Sequence, residues 1–237
     1  MIRAVLFDLD GTLLPVDQDR FIQYYFSLLA KKLEPYGYEP NLLLDTVWKG
    51  VLAMMANDGS CTNVEAFWKV FTSVFGEGSR KDDNLFMEFY ANEFQQVKDV
   101  CHPTPKADRI VKMLKRAGLK VVLATNPLFP RLATESRIGW AGMDPKDFDL
   151  CSTYEDYSLC KPNPAYFIDV AHRIGVDPED CLMVGNDVGE DMVATKVGMK
   201  VFLLTDFMVN RKDEDISVYP HGGFDDLIQF LKRELSL

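Results

Sequence analysis

The amino-acid sequence predicts an α/β protein with a doubly wound parallel sheet and an inserted all-helical segment. Short apolar runs, many of them β-branched, alternate with helical patterns at the start of the chain and again beyond about residue 100. This alternation is typical of parallel strands that are connected by helices on both faces of a sheet. Between these regions only helical patterns occur, so the segment interrupts the alternation as a separate unit.

The same patterns give the domain boundaries. We expect residues 1–16 and 98–237 to form the sheet domain, and residues 17–97 to form a smaller helical domain. Apolar residues at helical spacing, cap residues and glycine stops predict four helices in the smaller domain. They span residues 17 to about 34, 41–55 with Asn41 as the cap, 62–75 with a Thr62 and Glu65 capping box, and 82 or 83 to about 97.

In the sheet domain, strands and helices are predicted in turn. The first strand ends at Phe7, and the stiff segment His102-Pro103-Thr104-Pro105 returns the chain to this domain. The remaining elements are a helix from 104 or 105 to 117, a strand over 119–124, a helix through 138, a short strand over 148–151, a helix over 164–174, a strand from 181, a helix over 189–197, a strand over 200–204 and a terminal helix over 224–235.

Composition narrows the choice of partners and compartment. The chain has 237 residues, 47% of them apolar, and carries 36 acidic against 26 basic residues, for a net charge of −10. Such a charge disfavours nucleic acid or an anionic membrane as a partner. The N-terminus enters a strand at once, and no apolar run approaches the roughly 20 residues of a membrane helix. We therefore expect a soluble cytoplasmic protein, while its oligomeric state stays open.

The cysteines and histidines show no site pattern. The five cysteines are odd in number and lack paired spacing, so we expect buried free thiols rather than disulfides or a zinc site. The three histidines have no ligand spacing and receive no role. These residues are Cys61, Cys101, Cys151, Cys160 and Cys181, and His102, His172 and His221.

A pair of acids follows the first predicted strand. In Asp8-Leu9-Asp10-Gly11-Thr12, the acids are two residues apart, so in an extended chain they share one face. Gly11 allows the chain to turn sharply away from them. Two converging carboxylates repel each other unless a cation lies between them, and a hard cation such as Mg²⁺ suits carboxylate oxygens. The plain alternative is one acid that caps the next helix and another that lies in the turn.

Three later segments also place polar residues where an apolar pattern ends or a helix begins. Ligands of parallel α/β sheets bind beyond the carboxyl ends of the strands. We therefore expect these segments to form a single site with the two acids. The residues are Thr125 and Asn126 after one strand, Lys161 between Cys160 and Pro162, and Gly185, Asn186, Asp187, Glu190 and Asp191 after another strand.

These four motifs, in this order, resemble those of the haloacid dehalogenase superfamily of phosphatases. The resemblance covers about residues 1–14 and 100–205 directly. It implies a Rossmann-like core, a helical cap that closes over the active site, Mg²⁺ as the cofactor, and a small phosphorylated substrate that some polar cap residues select.

The residue types then suggest a mechanism. Asp8 would attack a phosphoryl group and form an aspartyl-phosphate, because a carboxylate is ionised at neutral pH and needs no activating base. Asp10 would protonate the leaving alkoxide and later deprotonate the hydrolytic water. Thr125 and the backbone N–H groups around Leu9, Gly11 and Asn126 would bind the phosphoryl oxygens. Lys161 would neutralise charge on Asp8 and on the phosphoryl group.

The sequence allows two registers for the metal ligands, because Asn186 stands where the superfamily normally has an acid. Asp8, the backbone carbonyl of Asp10 and an acid of the last cluster would hold Mg²⁺. We expect Asp187 to be the third ligand, directly or through a water, and Asp191 to orient the loop as an outer-shell partner together with Asn186. The competing register makes Asn186 the ligand and binds Asp191 to the loop or to Lys161.

Competing roles stay open for several of these residues. Thr125 could cap the helix that follows it, and Lys161 could be a surface lysine. A dehalogenase branch is disfavoured because it usually lacks the acid at Asp10. A sugar-phosphate mutase uses the same constellation, and a catalytically silent member could bind a metabolite or a partner through its cap.

Overall fold

The computed structural model describes residues 1–235, and within them six parallel strands form one sheet. The three strands at its centre are apolar and buried along most of their length, as expected when helices cover both faces. The doubly wound α/β fold is thereby confirmed. The strands are β1 (Ala4–Phe7), β2 (Lys120–Leu123), β3 (Leu150–Cys151), β4 (Cys181–Gly185), β5 (Lys200–Leu204) and β6 (His221–Gly222), in the order β3-β2-β1-β4-β5-β6.

Helices occupy most of the remaining described chain. Asp17 caps the first through the Arg20 N–H, and Thr62 with Glu65 forms the predicted capping box of the third. The helices are α1 (Gln18–Leu33), α2 (Pro40–Met55), α3 (Asn63–Phe75), α4 (Asp83–Ala91), α5 (Pro105–Arg116), α6 (Arg131–Trp140), α7 (Pro164–Ile174) and α8 (Phe224–Leu235).

Some boundaries differ from the prediction. The fourth helix does not continue to residue 97, because Asn92 leaves the helical conformation and its side chain donates to the Glu88 carbonyl at 2.8 Å. A 3₁₀ stretch, Glu93–Val100, follows. Glu39 rather than Asn41 caps α2. The helix predicted over 189–197 is a shorter 3₁₀ stretch, Met192–Val197.

The two faces of the sheet carry separate apolar clusters. Successive side chains of a strand point to opposite faces, and accordingly Val5 and Phe7 belong to one cluster while Ala4 and Leu6 belong to the other. The cluster of Val5 and Phe7 continues without a break into α1–α4. The helical segment therefore packs against the sheet domain through a shared apolar core.

Phe94 lies at the centre of this contact. Its ring is fully buried, and ring centroids of Tyr25, Phe129 and Trp140 lie 5.8, 6.2 and 5.0 Å away. Tyr25 belongs to α1 of the helical segment. In the sheet domain, Phe129 lies just before α6 and Trp140 is the last residue of α6. One side chain thus joins the two parts of the molecule.

The two segments that connect these parts run side by side. Val16 and Cys101 form an antiparallel bridge, and the His102 N–H donates to the Pro15 carbonyl at 2.8 Å. All five cysteines are free thiols as predicted, although Cys61 and Cys151 are only partly buried. Within residues 1–235, we find no helix with the length and apolar character needed to cross a bilayer.

We expect Phe94→Ala to lower the free energy of unfolding by about 3–5 kcal/mol, because the deleted ring leaves a cavity between two packed parts. Urea titration followed by circular dichroism measures the change. Val74→Ala, at an exposed position of α3, is the control and should change stability by less than about 0.5 kcal/mol. A loss below about 1 kcal/mol for Phe94→Ala would contradict the role of this ring.

Candidate active site

A buried lysine lies between two aspartates at the carboxyl edge of the sheet. Asp8 directly follows β1, and its N–H donates to the Val184 carbonyl of β4 at 2.9 Å. Lys161 Nζ donates to Asp8 Oδ1 at 2.9 Å and to Asp191 Oδ1 at 2.6 Å. Because the lysine side chain is 1% exposed, the interpretation of Lys161 as a surface lysine is wrong.

The charges around this lysine do not balance. Burial favours its neutral form, but the negative charges of Asp191 and Asp8 outweigh this effect and raise the pKa of Lys161 well above its ordinary value. Burial also raises the pKa of Glu190 to about 7, and the negative charges of Asp187 and Asp8 add to the rise against the opposing Lys161. Burial likewise raises the pKa of Asp191 to about 7, so three carboxyl groups, those of Asp8, Asp191 and Glu190, lie around one buried ammonium group.

Asp10 pairs with a residue that the sequence patterns did not reveal. Arg137 of α6 donates from Nη1 to Asp10 Oδ2, is 1% exposed, and stacks on Phe129 with its guanidinium carbon 4.3 Å from the ring centroid. Asp10 Oδ1 is buried and has no hydrogen-bond partner within residues 1–235. Burial raises the pKa of Asp10 above its ordinary value, and Arg137 opposes the rise.

The loop after β4 is held by its own polar side chains. Asn186 accepts from Thr12 Oγ1 at 3.0 Å and donates to the Phe207 carbonyl at 2.6 Å, so both ends of its amide are engaged. Asp191 Oδ2 accepts from the Asp187 N–H at 3.0 Å. Asp191 therefore contacts both the loop and Lys161, and Asn186 fastens the loop to the turn after β1.

The carboxylate of Asp187 is buried but has an exposed partner. Its Oδ1 accepts from the N–H groups of Gly189 and Glu190 at 2.8 and 3.0 Å. Its Oδ2 accepts from Nη1 of Arg211 at 3.0 Å, and the arginine side chain is 65% exposed. Displacing an exposed arginine from this oxygen costs less free energy than breaking the buried hydrogen bonds that hold the Asn186 amide.

Thr125 and Asn126 follow β2, as predicted. Thr125 is buried beside the cavity, and α6 begins only at Arg131 without a side-chain cap, so Thr125 does not cap that helix. The Asn126 amide accepts from the Lys161 N–H at 3.1 Å and donates to Glu190 Oε2 at 3.0 Å. Asn126 therefore fixes the backbone that carries the buried lysine.

The turn after β1 differs from the expectation at Gly11. Its N–H donates to the Leu14 carbonyl at 2.8 Å inside the turn. The sequence predicted that this N–H would bind a phosphoryl oxygen, but it is already used within the turn. Gly11 has a φ of +86°, and a Cβ there would overlap the Asn186 amide. Leu9 is fully buried next to Asp8.

The donor set suits Mg²⁺ only if a backbone oxygen takes part. Within residues 1–235, no three His, Cys, Asp or Glu side chains converge as a metal cluster. The expected set does not need one, since it combines the carboxylates of Asp8 and Asp187 with the carbonyl of Asp10. That carbonyl accepts only a 3.4 Å hydrogen bond from Gln18. Oxygen donors with an excess of negative charge fit a hard divalent cation.

A cavity of about 440 Å³ opens from these residues toward the helical segment. Asp8, Asp10, Thr125 and Arg137 lie at its base, and side chains of α1–α4 form much of its wall. Its volume falls within the range of about 300–1,000 Å³ that is usual for small-molecule sites. The candidate catalytic residues therefore border a space that can hold a substrate.

We expect Arg137→Met to lower the free energy of unfolding by about 3–5 kcal/mol at pH 7, because it leaves the Asp10 carboxylate buried without its partner. Asp10→Asn in the same chain should recover part of the loss. Arg131→Met is the matched control, since Arg131 lies on the same helix in an exposed pair with Asp156 and should cost less than about 1 kcal/mol. Equal losses for both arginines in urea titrations would contradict this assignment.

Known proteins of similar sequence include phosphatases. A bifunctional riboflavin kinase/FMN phosphatase of Arabidopsis thaliana is 29% identical over 203 residues, which are 84% of this chain and 47% of that protein. The chain thus spans about half the length of that relative. A phosphoglycolate phosphatase of Xylella fastidiosa strain Temecula1 is 27% identical over 202 residues, 83% of this chain and 77% of that protein.

Solved structures share this fold as well. The crystal structure of a HAD phosphatase from Thermococcus onnurineus shares 20% identity, with a TM-score of 0.59 over 97% of this chain and 98% of that one. The family model described as haloacid dehalogenase-like hydrolase matches residues 2–197, most of the chain. The resemblance seen in the four motifs is confirmed, and the chain belongs to the haloacid dehalogenase-like hydrolase family.

Proposed function

We propose that this hydrolase is a Mg²⁺-dependent phosphatase that cleaves a small phosphorylated metabolite through an aspartyl-phosphate on Asp8. The observation that carries the proposal is the position of the Asp8 carboxylate, buried at the base of the cavity, with Lys161 Nζ 2.9 Å from its Oδ1. Membership of the family and the similarity to curated phosphatases support a phosphoric monoester hydrolase.

Each step of the reaction uses a residue at this edge of the sheet. Asp8 attacks phosphorus and the ester P–O bond breaks, while a proton from Asp10 passes to the leaving oxygen. Asp10, now ionised, takes a proton from water as that water attacks the aspartyl-phosphate, so inorganic phosphate leaves and Asp8 is restored. Burial raises the pKa of Asp10 and so favours the protonated acid that the first step requires, while Arg137 opposes the rise. In this proposal the proton is delivered from Oδ1, which has no hydrogen-bond partner within residues 1–235.

Residues around Asp8 balance the charge of the phosphoryl group. Lys161 and the Thr125 hydroxyl, with backbone N–H groups at Leu9 and Asn126, bind its oxygens in this proposal. Lys161 suits the task because two carboxylates keep it charged and Asn126 fixes its backbone. Gly11 is left out of this set because its N–H is already used within the turn.

We assign Asp8, the carbonyl of Asp10 and Asp187 to the metal, with Asn186 and Asp191 as the groups that hold the loop. When bound, Mg²⁺ would shield the phosphoryl oxygens from the carboxylate that must approach them. The full engagement of the Asn186 amide supports Asp187 as the ligand from this loop.

We also propose that residues 17–97 act as a cap on a core formed by residues 1–16 and 98–237. The cavity between α1–α4 and the sheet edge supports this division, as does the pairing of the two connecting segments at Pro15 and His102. Five free thiols favour a reducing compartment, so a cytoplasmic location is part of the proposal.

The direct test is release of inorganic phosphate from a panel of phosphorylated metabolites in the presence of Mg²⁺. We expect Asp8→Asn to lower turnover by roughly 10³-fold or more, because the amide cannot act as the nucleophile. Asp225→Asn, at an exposed carboxylate outside the cavity, serves as the control and should keep the parent rate. Undiminished hydrolysis by a folded Asp8→Asn protein would rule out the mechanism, and transfer between sugar phosphates without phosphate release would indicate a mutase.

A second test distinguishes the two possible ligands in the loop after β4. Asp187→Ala should raise the Mg²⁺ concentration for half-maximal rate by more than about tenfold, since it removes a charged ligand. Asn186→Ala should raise it far less. Rates measured across a Mg²⁺ titration give the comparison, after thermal unfolding has shown that both variants are folded. The reverse order of the two effects would make Asn186 the ligand.

A further inference from the structure

The helical segment gives the cavity an apolar wall with little charge. Phenylalanine, tryptophan, methionine, leucine and valine side chains make up most of what α1–α4 contribute, among them Phe26, Trp48, Leu52 and Met55. The polar groups from these helices are Gln18, the indole N–H groups of Trp48 and Trp68, the hydroxyls of Tyr25 and Tyr90, which bond to each other at 3.0 Å, and one acid, Asp83. Among the described lining residues, α1–α4 supply no Lys, Arg or His.

The cations that do line the cavity come from the sheet domain. Arg137 is paired with Asp10, and Arg211 is paired with Asp187 until a metal takes that carboxylate, so a free cation would lie on the Arg211 side of the cavity and none on α1–α4. A second anionic group that lay against α1–α4 would meet apolar rings and the carboxylate of Asp83, which is already paired with Arg80 at 3.2 Å. Burying an unpaired charge is costly, so this wall disfavours a carboxylate or a second phosphate in the leaving group.

Two apolar side chains of α2 remain exposed at this cavity. Trp48 is 46% exposed and Leu52 is 48% exposed, and both line the same cavity as Asp8 and Asp10. Apolar groups gathered at the mouth of a polar site are typical of a surface that a ligand covers. A leaving group of two or three carbons would fill only a small part of the 440 Å³ and would leave these side chains in water.

We infer that this small-molecule substrate is a phosphate monoester of an uncharged alcohol with a bulky aromatic or similarly apolar body, which lies between α1 and α2 while its phosphate reaches Asp8. This inference rests on the proposed phosphatase function and specifies its substrate class. The apolar body contributes binding through burial against the rings of the wall.

Three primary alkyl phosphates test the inference, because their leaving groups are all primary alkoxides and differ mainly in the attached body. They are 2-(2-naphthyl)ethyl phosphate, ethyl phosphate and 2-carboxyethyl phosphate, each assayed by phosphate release with Mg²⁺. We expect kcat/KM for the naphthyl ester to exceed that for ethyl phosphate by about 10- to 100-fold, from burial of the ring system. The carboxyethyl ester should be the poorest of the three.

A pair of variants on one helix provides the matched control. Leu52→Ala should lower the ratio of kcat/KM for the naphthyl and ethyl esters by about three- to tenfold, because it removes part of the apolar wall. Leu42→Ala makes the same change on α2 at a similarly exposed residue outside the cavity, and the ratio should stay as in the parent. Trp48→Ala should act in the same direction as Leu52→Ala.

The outcomes distinguish failure of the proposed substrate class from failure of the proposed phosphatase function. Phosphate release that depends on Asp8 but is as fast with the ethyl or carboxyethyl ester overturns the apolar substrate class and leaves the phosphatase function standing. A ratio that responds equally to Leu52→Ala and Leu42→Ala also overturns it. Absence of phosphate release from all three esters and from the metabolite panel overturns the phosphatase function, and this inference with it.

Discussion

The buried ammonium group of Lys161 is the interaction on which the site depends. Removing a charge from water is costly, and a single partner rarely offsets the cost. Here two carboxylates from different strand ends meet one lysine, Asp8 at 2.9 Å and Asp191 at 2.6 Å. Asp8 follows β1, and Asp191 lies in the loop after β4. The triad of Lys161, Asp8 and Asp191 therefore joins the ends of two neighbouring central strands and also keeps the lysine charged.

The surrounding hydrogen bonds keep this triad in place. Asn126 binds the main chain of Lys161, and Asp191 binds the N–H of Asp187 through its second oxygen. Gly185, the last residue of β4, has no side chain because Asp191 occupies the place of its Cβ. Three loops are therefore joined to one another through the almost fully buried side chains of Lys161 and Asp191 and the partly buried amide of Asn126.

The two acids of the first motif receive different environments although they are two residues apart. Asp8 forms an ion pair with a buried ammonium group that it shares with a second carboxylate. Asp10 contacts Arg137 through one oxygen while the other is buried without a partner in the described chain, and burial pushes the pKa of Asp10 upward. Two carboxyl groups in such different environments are what a nucleophile and a general acid require.

The sequence predicted most of the sheet and most of the polar chemistry of its edge because both leave local signals. Continuous apolar runs mark β1, β2 and β4, and polar residues at their ends mark the site. Arg137 was missed although it lies on the buried face of α6, since its partner is 127 residues away and no local pattern connects them. The strand β6 has two residues, too few for any periodicity to appear.

The topology also explains why most charged residues of the cavity come from the sheet domain and most apolar ones from α1–α4. Parallel strands bring acids and the lysine to one edge from distant parts of the chain, whereas α1–α4 come from one continuous segment whose inner face must also pack against the sheet domain. That face is consequently apolar, and the part of it that does not pack against the sheet domain forms the wall of the cavity. The two connecting segments are hydrogen-bonded to each other at Pro15 and His102, so both crossings between the wall and the sheet domain lie at one place.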